Sequence, residues 1–274
     1  MRITTLSVFL LANAGLSAAQ TDNANDDAFQ RSRAAIAEAV RLAGEDKSRC
    51  EQDRRTVRYA GRTDLGLYAC LYEAVQSGAQ HLTITSFGGP VVNAIPAADI
   101  IARHGMSVSV LGICGSSCGN YLAPAATRLG VLPYSLISVH GAPHPPDERK
   151  IREALRKAGN SREQIRMFLG PNLRRGRFEY ALHQAFQRRH GIHDGLYDAD
   201  ALRSAQVRLR GMPMLYLSRE TMSACAPNLH LDMYWEPESQ DDEARLEQLF
   251  PNSSRGEYGA LSDGRVCRET GTAD

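Results

Sequence analysis

No charge of one sign dominates this chain. Thirty-two Lys and Arg side chains stand against 31 Asp and Glu, a formal net charge of +1 over 274 residues. A balance this even leaves no chain-wide field to gather nucleic acid or an anionic membrane. Long apolar runs are missing too. The stretch from Leu6 to Ala12 is too short to span a bilayer, and no later segment resembles a membrane helix, so no stable membrane anchor is expected. There is no internal repeat and no low-complexity tract. With 43% hydrophobic and 23% charged residues, neither whole-chain disorder nor a collagen-like rod fits. Zinc spacing is absent as well, because Cys114-x-x-x-Cys118 has no second Cys or His pair at ligand distance along the chain. No metal and no cofactor is expected.

What is present begins with an address. Arg2, the apolar Leu6–Ala12 stretch and the small residues Ser17-Ala18-Ala19 form a charged, an apolar and a small-x-small region in that order. That pattern predicts a signal peptide over 1–19, cleaved near Ala19, and a periplasmic or secreted mature chain. Export gives the six cysteines a meaning, since an even set in an oxidising compartment predicts disulfides. The sequence alone does not choose among the pairings. Pairing neighbours gives Cys50 with Cys70 and Cys225 with Cys267, the latter pinning a polar tail. Cys114 and Cys118 are either two small buried residues or a third bridge, because residues one helical turn apart lie near the permitted Cα separation.

Apolar positions at helical intervals predict a helix from Asp26 to Asp46, stopped by Gly44, and an Arg-rich solvated passage after it. From Tyr59 the pattern changes. Residues 81–86 alternate as a strand and run into Phe87-Gly88-Gly89-Pro90, and helical spacing follows from Val91 to Ala102. Ser107–Leu111 reads as a second strand closed by Gly112, then comes a small-residue turn and a helix from Tyr121. Leu136–Val139 is a third strand, ending at His140. Strand and helix in alternation predict an α/β architecture with parallel pairings. From Pro143 the chain reads as charged amphipathic helices at 148–158, 161–168 and 178–189, with one more near Ala199–Leu202. The organisation expected is a signal peptide at 1–19, an N-terminal helical segment at 20–58, an α/β domain at 59–234 with a helical excursion at 146–203, and an irregular acidic tail at 235–274.

The middle region carries the chemistry. A serine hydroxyl that attacks a carbonyl needs a base, donors for the oxyanion and exposure on a turn. Ser116 and Ser117 sit at a strand-to-helix elbow flanked by Gly115 and Gly119, where the following helix aims its amide dipoles at the turn. Gly88 and Gly89 can present backbone N–H groups, and His140 ends the third strand.

In that order, Ser86-Phe87-Gly88-Gly89, Gly112-Ile113-Cys114-Gly115-Ser116-Ser117-Cys118 and Val139-His140 resemble the core of the Clp-type serine peptidase and crotonase superfamily. The likeness is greatest to exported Clp-like proteins with a Cys-x-Ser-x-Cys elbow, and it covers Tyr59 to Gly141 well and the remainder loosely. It implies a crotonase-like ββα spiral core, Ser116 as nucleophile, His140 as general base, and the backbone amides of Gly89 and Ser117 as the oxyanion hole. It also implies a peptide or small acyl substrate and a homo-oligomer as the common assembly of such folds, while the even charge balance predicts no nucleic-acid partner. The family's orienting Asp is missing, because Met214 stands where it would fall. Asp194, Asp198 or Asp200 are the alternatives for that role.

Two rival readings remain at this level. Gly115-Ser116-Ser117-Cys118-Gly119 also fits the G-x-S-x-G elbow of an α/β-hydrolase, with Ser117, Asp198 and His230 as the triad. The missing acid fits an exported binding or scaffold protein that keeps the shell without the catalysis. An acyl-coenzyme-A enzyme shares the fold, but its substrates are cytosolic.

Overall fold

The computed structural model describes residues 9–197, 215–250 and 267. Helix α1 (Phe9–Gly44) leads into a hairpin of β1 (Arg49–Asp53) and β2 (Thr56–Ala60). Then α2 (Leu65–Gln76), β3 (His81–Ser86), α3 (Val91–Arg103) and β4 (Ser107–Gly115) alternate. A π-helical turn (Cys118–Leu122) runs into the short α4 (Ala123–Ala125), followed by β5 (Arg128–Val131) and β6 (Leu136–Val139). Two long helices come next, α5 (Glu148–Lys157) and α6 (Arg162–His190), then a 3₁₀ turn (Asp194–Tyr197). The described chain closes with β7 (Leu215–Tyr216), α7 (Arg219–Cys225), β8 (His230–Tyr234) and α8 (Gln240–Leu249).

The eight described strands form one mixed sheet in the order β1-β2-β3-β4-β5-β8, with β6 branching from β4 and β7 pairing β6. The β1–β2 and β6–β7 pairs are antiparallel and the others parallel. Parallel neighbours need crossovers, which α2 and α3 supply. The core is built from Leu82, Ile84, Val108, Val110, Leu129 and Val139, all at most 1% exposed, covered by α2, α3 and α1. Each such side chain contributes about 1.5–3 kcal/mol on burial.

One feature of β4 positions the site. Its first half, Ser107–Val110, pairs with β5, and its second half, Ile113–Gly115, pairs with β6. Between them Gly112 takes φ +77, and a Cβ there would meet Ile36 Cγ1 of α1 at 2.8 Å. Glycine therefore lets the strand bend under α1 and fork. The fork carries the end of β6 alongside the end of β4.

Several boundaries differ from the sequence reading. The strand expected to close at Gly112 continues to Gly115, because the glycine bends it without ending it. Helix α1 begins well before Asp26 and crosses the expected cleavage point at Ala19, with no proline anywhere along it and no glycine between Gly15 and Gly44. The Arg-rich passage belongs to the sheet: β1 and β2 take up most of residues 49–60, so the expected boundary at 58/59 cuts a strand. Segments 161–168 and 178–189 are parts of one helix, α6, despite Pro171; the Asn172 Nδ2–H donates to the Phe168 carbonyl in the turn next to the one the proline interrupts. The acidic tail includes α8, whose Leu246 and Leu249 are buried, and Trp235 packs on Tyr134 at a 4.8 Å centroid distance. The helix expected near Ala199–Leu202 lies outside the described residues.

Candidate active site

The strand β4 ends at Gly115 and the chain turns sharply at Ser116, a non-glycine residue with φ +53. A left-handed serine is strained by about 1 kcal/mol or more and persists only where its surroundings fix it. Three bonds do so. The Ser116 N–H donates to the Ser138 carbonyl of β6 at 2.7 Å, and the Asn120 N–H donates to the Ser116 carbonyl at 2.8 Å. The Cys114–Cys118 disulfide, with Cα atoms 5.1 Å apart, spans the turn from strand to π-turn. Both of its cysteines are fully buried.

This turn aims the side chain outward. Ser116 Oγ stands 2.7 Å from His140 Nε2, with the serine half-buried and the imidazole exposed. The pair is joined beneath as well, because the Asn120 Nδ2–H donates to the Gly141 carbonyl at 2.7 Å. One buried side chain thus ties the elbow to the segment carrying His140. For Nε2 to accept the serine proton, Nδ1 must hold the ring's own proton. Among the described residues no carboxylate pairs with His140.

The glycine loop after β3 closes over the elbow. Gly88 has φ +93, and a Cβ there would lie 2.6 Å from the Gly115 carbonyl, 2.7 Å from Ser116 Cβ and 3.0 Å from Ser117 N. No side chain fits. Gly89 departs from the expected role: its N–H donates to Ser117 Oγ at 2.8 Å. Ser117 Oγ in turn donates to the Gly89 carbonyl at 2.8 Å and takes the Thr63 Oγ1–H at 2.8 Å. Ser117 is 2% exposed, and a buried hydroxyl claims whatever donors are in reach. The Ser117 N–H has no partner among the described residues. One of the two expected oxyanion donors is therefore open and the other is engaged.

The remaining expectations separate. Asp194 does not reach His140; its Oδ1 accepts the Gln187 Nε2–H at 2.7 Å, and it lines a pocket with Pro143, His144, Tyr180, His183 and Tyr197. Asp198, Asp200 and Met214 lie outside the described residues. His230 is exposed on β8 with Nε2 3.1 Å from Asp232, so it is not brought to Ser117, whose hydroxyl is enclosed by Gly89 and Thr63. Cys50–Cys70 and Cys225–Cys267 are joined, with Cα atoms 5.9 and 5.2 Å apart. Among the described residues no helix is long and apolar enough to cross a membrane.

Some participants were not foreseen. Asn120 could have been found, since it lies one helical turn after Ser116. Thr63, Ser138 and the buried group of Tyr121, His183 and Tyr197 come from distant segments and leave no local signal. His183 Nδ1 is 3.3 Å from Tyr121 Oη, and its ring meets Tyr197 edge-on at 4.5 Å. Burial lowers the His183 pKa to about 4, against a smaller opposing pull from Asp194. The Tyr197 Oη–H donates to the Asn120 carbonyl at 2.9 Å, so this aromatic group braces the elbow from behind.

No protein-family model matches the chain, and no curated protein matches it.

Proposed function

We propose that this protein is an exported serine hydrolase of the Clp/crotonase kind, peptidase-like, working through a Ser116–His140 dyad. The observation that carries the reading is the 2.7 Å approach of Ser116 Oγ to His140 Nε2 at a left-handed elbow. In the proposed reaction, acyl transfer to water, His140 takes the Ser116 proton as the hydroxyl attacks a peptide or small acyl carbonyl. The Ser117 N–H, at the start of a helical turn, faces the developing oxyanion, and His140 passes the proton to the leaving group. His140 then deprotonates a water that attacks the acyl–Ser116 ester, and returns that proton to Ser116 Oγ as the acid leaves. Three disulfides among the described residues support the exported compartment. The glycine loop crossing the elbow and the β4 fork support the superfamily assignment and its spiral core.

Two observations favour a second reading, a non-catalytic binding or scaffold protein. No described carboxylate orients His140, and the Gly89 amide is engaged by Ser117. A fluorophosphonate probe separates the two. The hydrolase reading expects covalent labelling that maps to Ser116 and disappears in Ser116→Ala and in His140→Ala. An unlabelled, folded, disulfide-intact protein from neutral to alkaline pH would favour the scaffold instead.

A further inference from the structure

The charge balance of the whole chain conceals a segregation. Residues 148–190, which make up the α5–α6 hairpin, hold twelve Lys and Arg against four Asp and Glu. The remaining residues hold 20 bases and 27 acids, so a hairpin of net +8 stands on a body of net −7. Part of the hairpin's charge is quenched locally, by Arg152–Glu148 and Lys157–Glu153 within α5 and by Arg189 on Asp99 of α3. Arg166, Arg174, Arg175 and Arg177 are exposed, and none forms an ion pair among the described residues.

These arginines surround an apolar stripe. At about 100° per residue, positions i, i+4, i+7 and i+11 fall on one line of a helix. On α6 that line is Met167, Pro171, Arg174 and Phe178, all exposed. Met167 is 60% and Phe178 56% exposed, with Phe168 beside them at 38%. The inward side of the same helix buries Ile165, Leu169, His183 and Phe186 and packs on α3 and α5, so the stripe is not a face left over from the core. Helix α5 buries no residue at all.

We infer that the outward face of the α5–α6 hairpin is a docking surface for an anionic lipid membrane. Basic side chains flanking exposed Met and Phe on a helix are the arrangement that settles at a headgroup boundary, charge drawing it in and apolar side chains inserting. A second copy of the chain meeting this face across a two-fold axis fits it poorly, because like patches of net +8 repel there. The placement would leave Ser116 and His140 on a protein held against a bilayer. The inference does not depend on the hydrolase reading.

Co-sedimentation of the full chain with vesicles tests it. Vesicles of phosphatidylglycerol and phosphatidylcholine should pull the protein down at low salt, and vesicles of phosphatidylcholine alone should not. Replacing Arg166, Arg174, Arg175 and Arg177 together with Gln should weaken binding by roughly fivefold per arginine, several-hundredfold in all. These side chains are exposed, so the variant should keep its circular dichroism spectrum. In Phe178→Trp, emission from the new indole should shift to the blue on anionic vesicles, over the background of Trp235. The inference fails if wild-type protein ignores anionic vesicles at low salt, or if the four-arginine variant binds as well as wild type. It also fails if duplex DNA or self-association outcompetes the vesicles, or if the indole introduced by Phe178→Trp stays in water while the protein is bound.

Discussion

Ser117 Oγ lies 2.8 Å from both the N–H and the carbonyl of Gly89, so the residue beside the proposed nucleophile closes the loop expected to help it. This hydroxyl is structural. Replacing it with alanine leaves the Gly89 N–H and Thr63 Oγ1 without their partner in a buried place, a cost of about 1–3 kcal/mol. Ser117→Ala should therefore lower the denaturant midpoint while fluorophosphonate still labels Ser116. In the proposed mechanism the Gly89 amide it releases would serve as the second oxyanion donor, so labelling per folded molecule should be no slower than in wild type. Labelling lost in Ser117→Ala and kept in Ser116→Ala would reverse the assignment and favour the α/β-hydrolase reading.

Gly88 is the most constrained residue of the loop. Its φ of +93 disfavours any side chain, and a Cβ would overlap the Gly115 carbonyl and Ser116 Cβ. Both contacts are with atoms that cannot move without displacing the elbow. Gly88→Ala should cost about 2 kcal/mol or more of stability and abolish probe labelling. Gly78→Ala is the control: it has φ +87 but open space around it, so it should lose stability through backbone strain alone and keep its labelling.

The parts of the fold legible in the sequence are those whose signal is local. The β3 and β6 strands and α3 follow from alternation and helical spacing, and Ser116 and His140 follow from motif order. What escaped was set by distant partners. The strand β1 is exposed along its whole length and carries no apolar alternation, so only its pairing with β2 makes it a strand. Gly112 reads as a stop, since sequence does not show that Ile36 lies over it. The Gly89 amide reads as free because its partner, Ser117 Oγ, is 28 residues away. Net charge was misleading in the same way: a sum over the chain hides a hairpin whose bases share one surface.

The three disulfides should differ in worth by the loop each closes. Their sequence separations are 4, 20 and 42 residues for Cys114–Cys118, Cys50–Cys70 and Cys225–Cys267. Loop-closure entropy then assigns about 2, 3 and 4 kcal/mol in that order. Paired serine substitutions, measured by chemical denaturation, should reproduce this ranking. The smallest loss should come with the largest functional effect, because Cys114 and Cys118 bracket Ser116. If removing Cys114–Cys118 left the labelling rate untouched, the bridge would be packing and not a brace for the elbow.

His183 should make stability depend on pH. In the folded state burial holds its pKa near 4, below the ordinary 6.5, while Asp194 pulls weakly upward and His144 adds to the depression. Unfolded chains then bind a proton that folded chains refuse, so stability falls as pH drops from about 6.5 towards 4 and is fully present above that window. The full depression corresponds to roughly 3 kcal/mol, most of it lost by the lower end. His183→Gln keeps a polar side chain facing Tyr121 and does not titrate. Denaturant unfolding at about pH 7, 5.5 and 4.5 should give a wild-type-minus-variant difference that shrinks with acidity, while contributions from titratable groups not coupled to His183 cancel. A difference that stays flat across the window would mean that His183 titrates normally, and that Tyr121 and Tyr197 do not seal it from water.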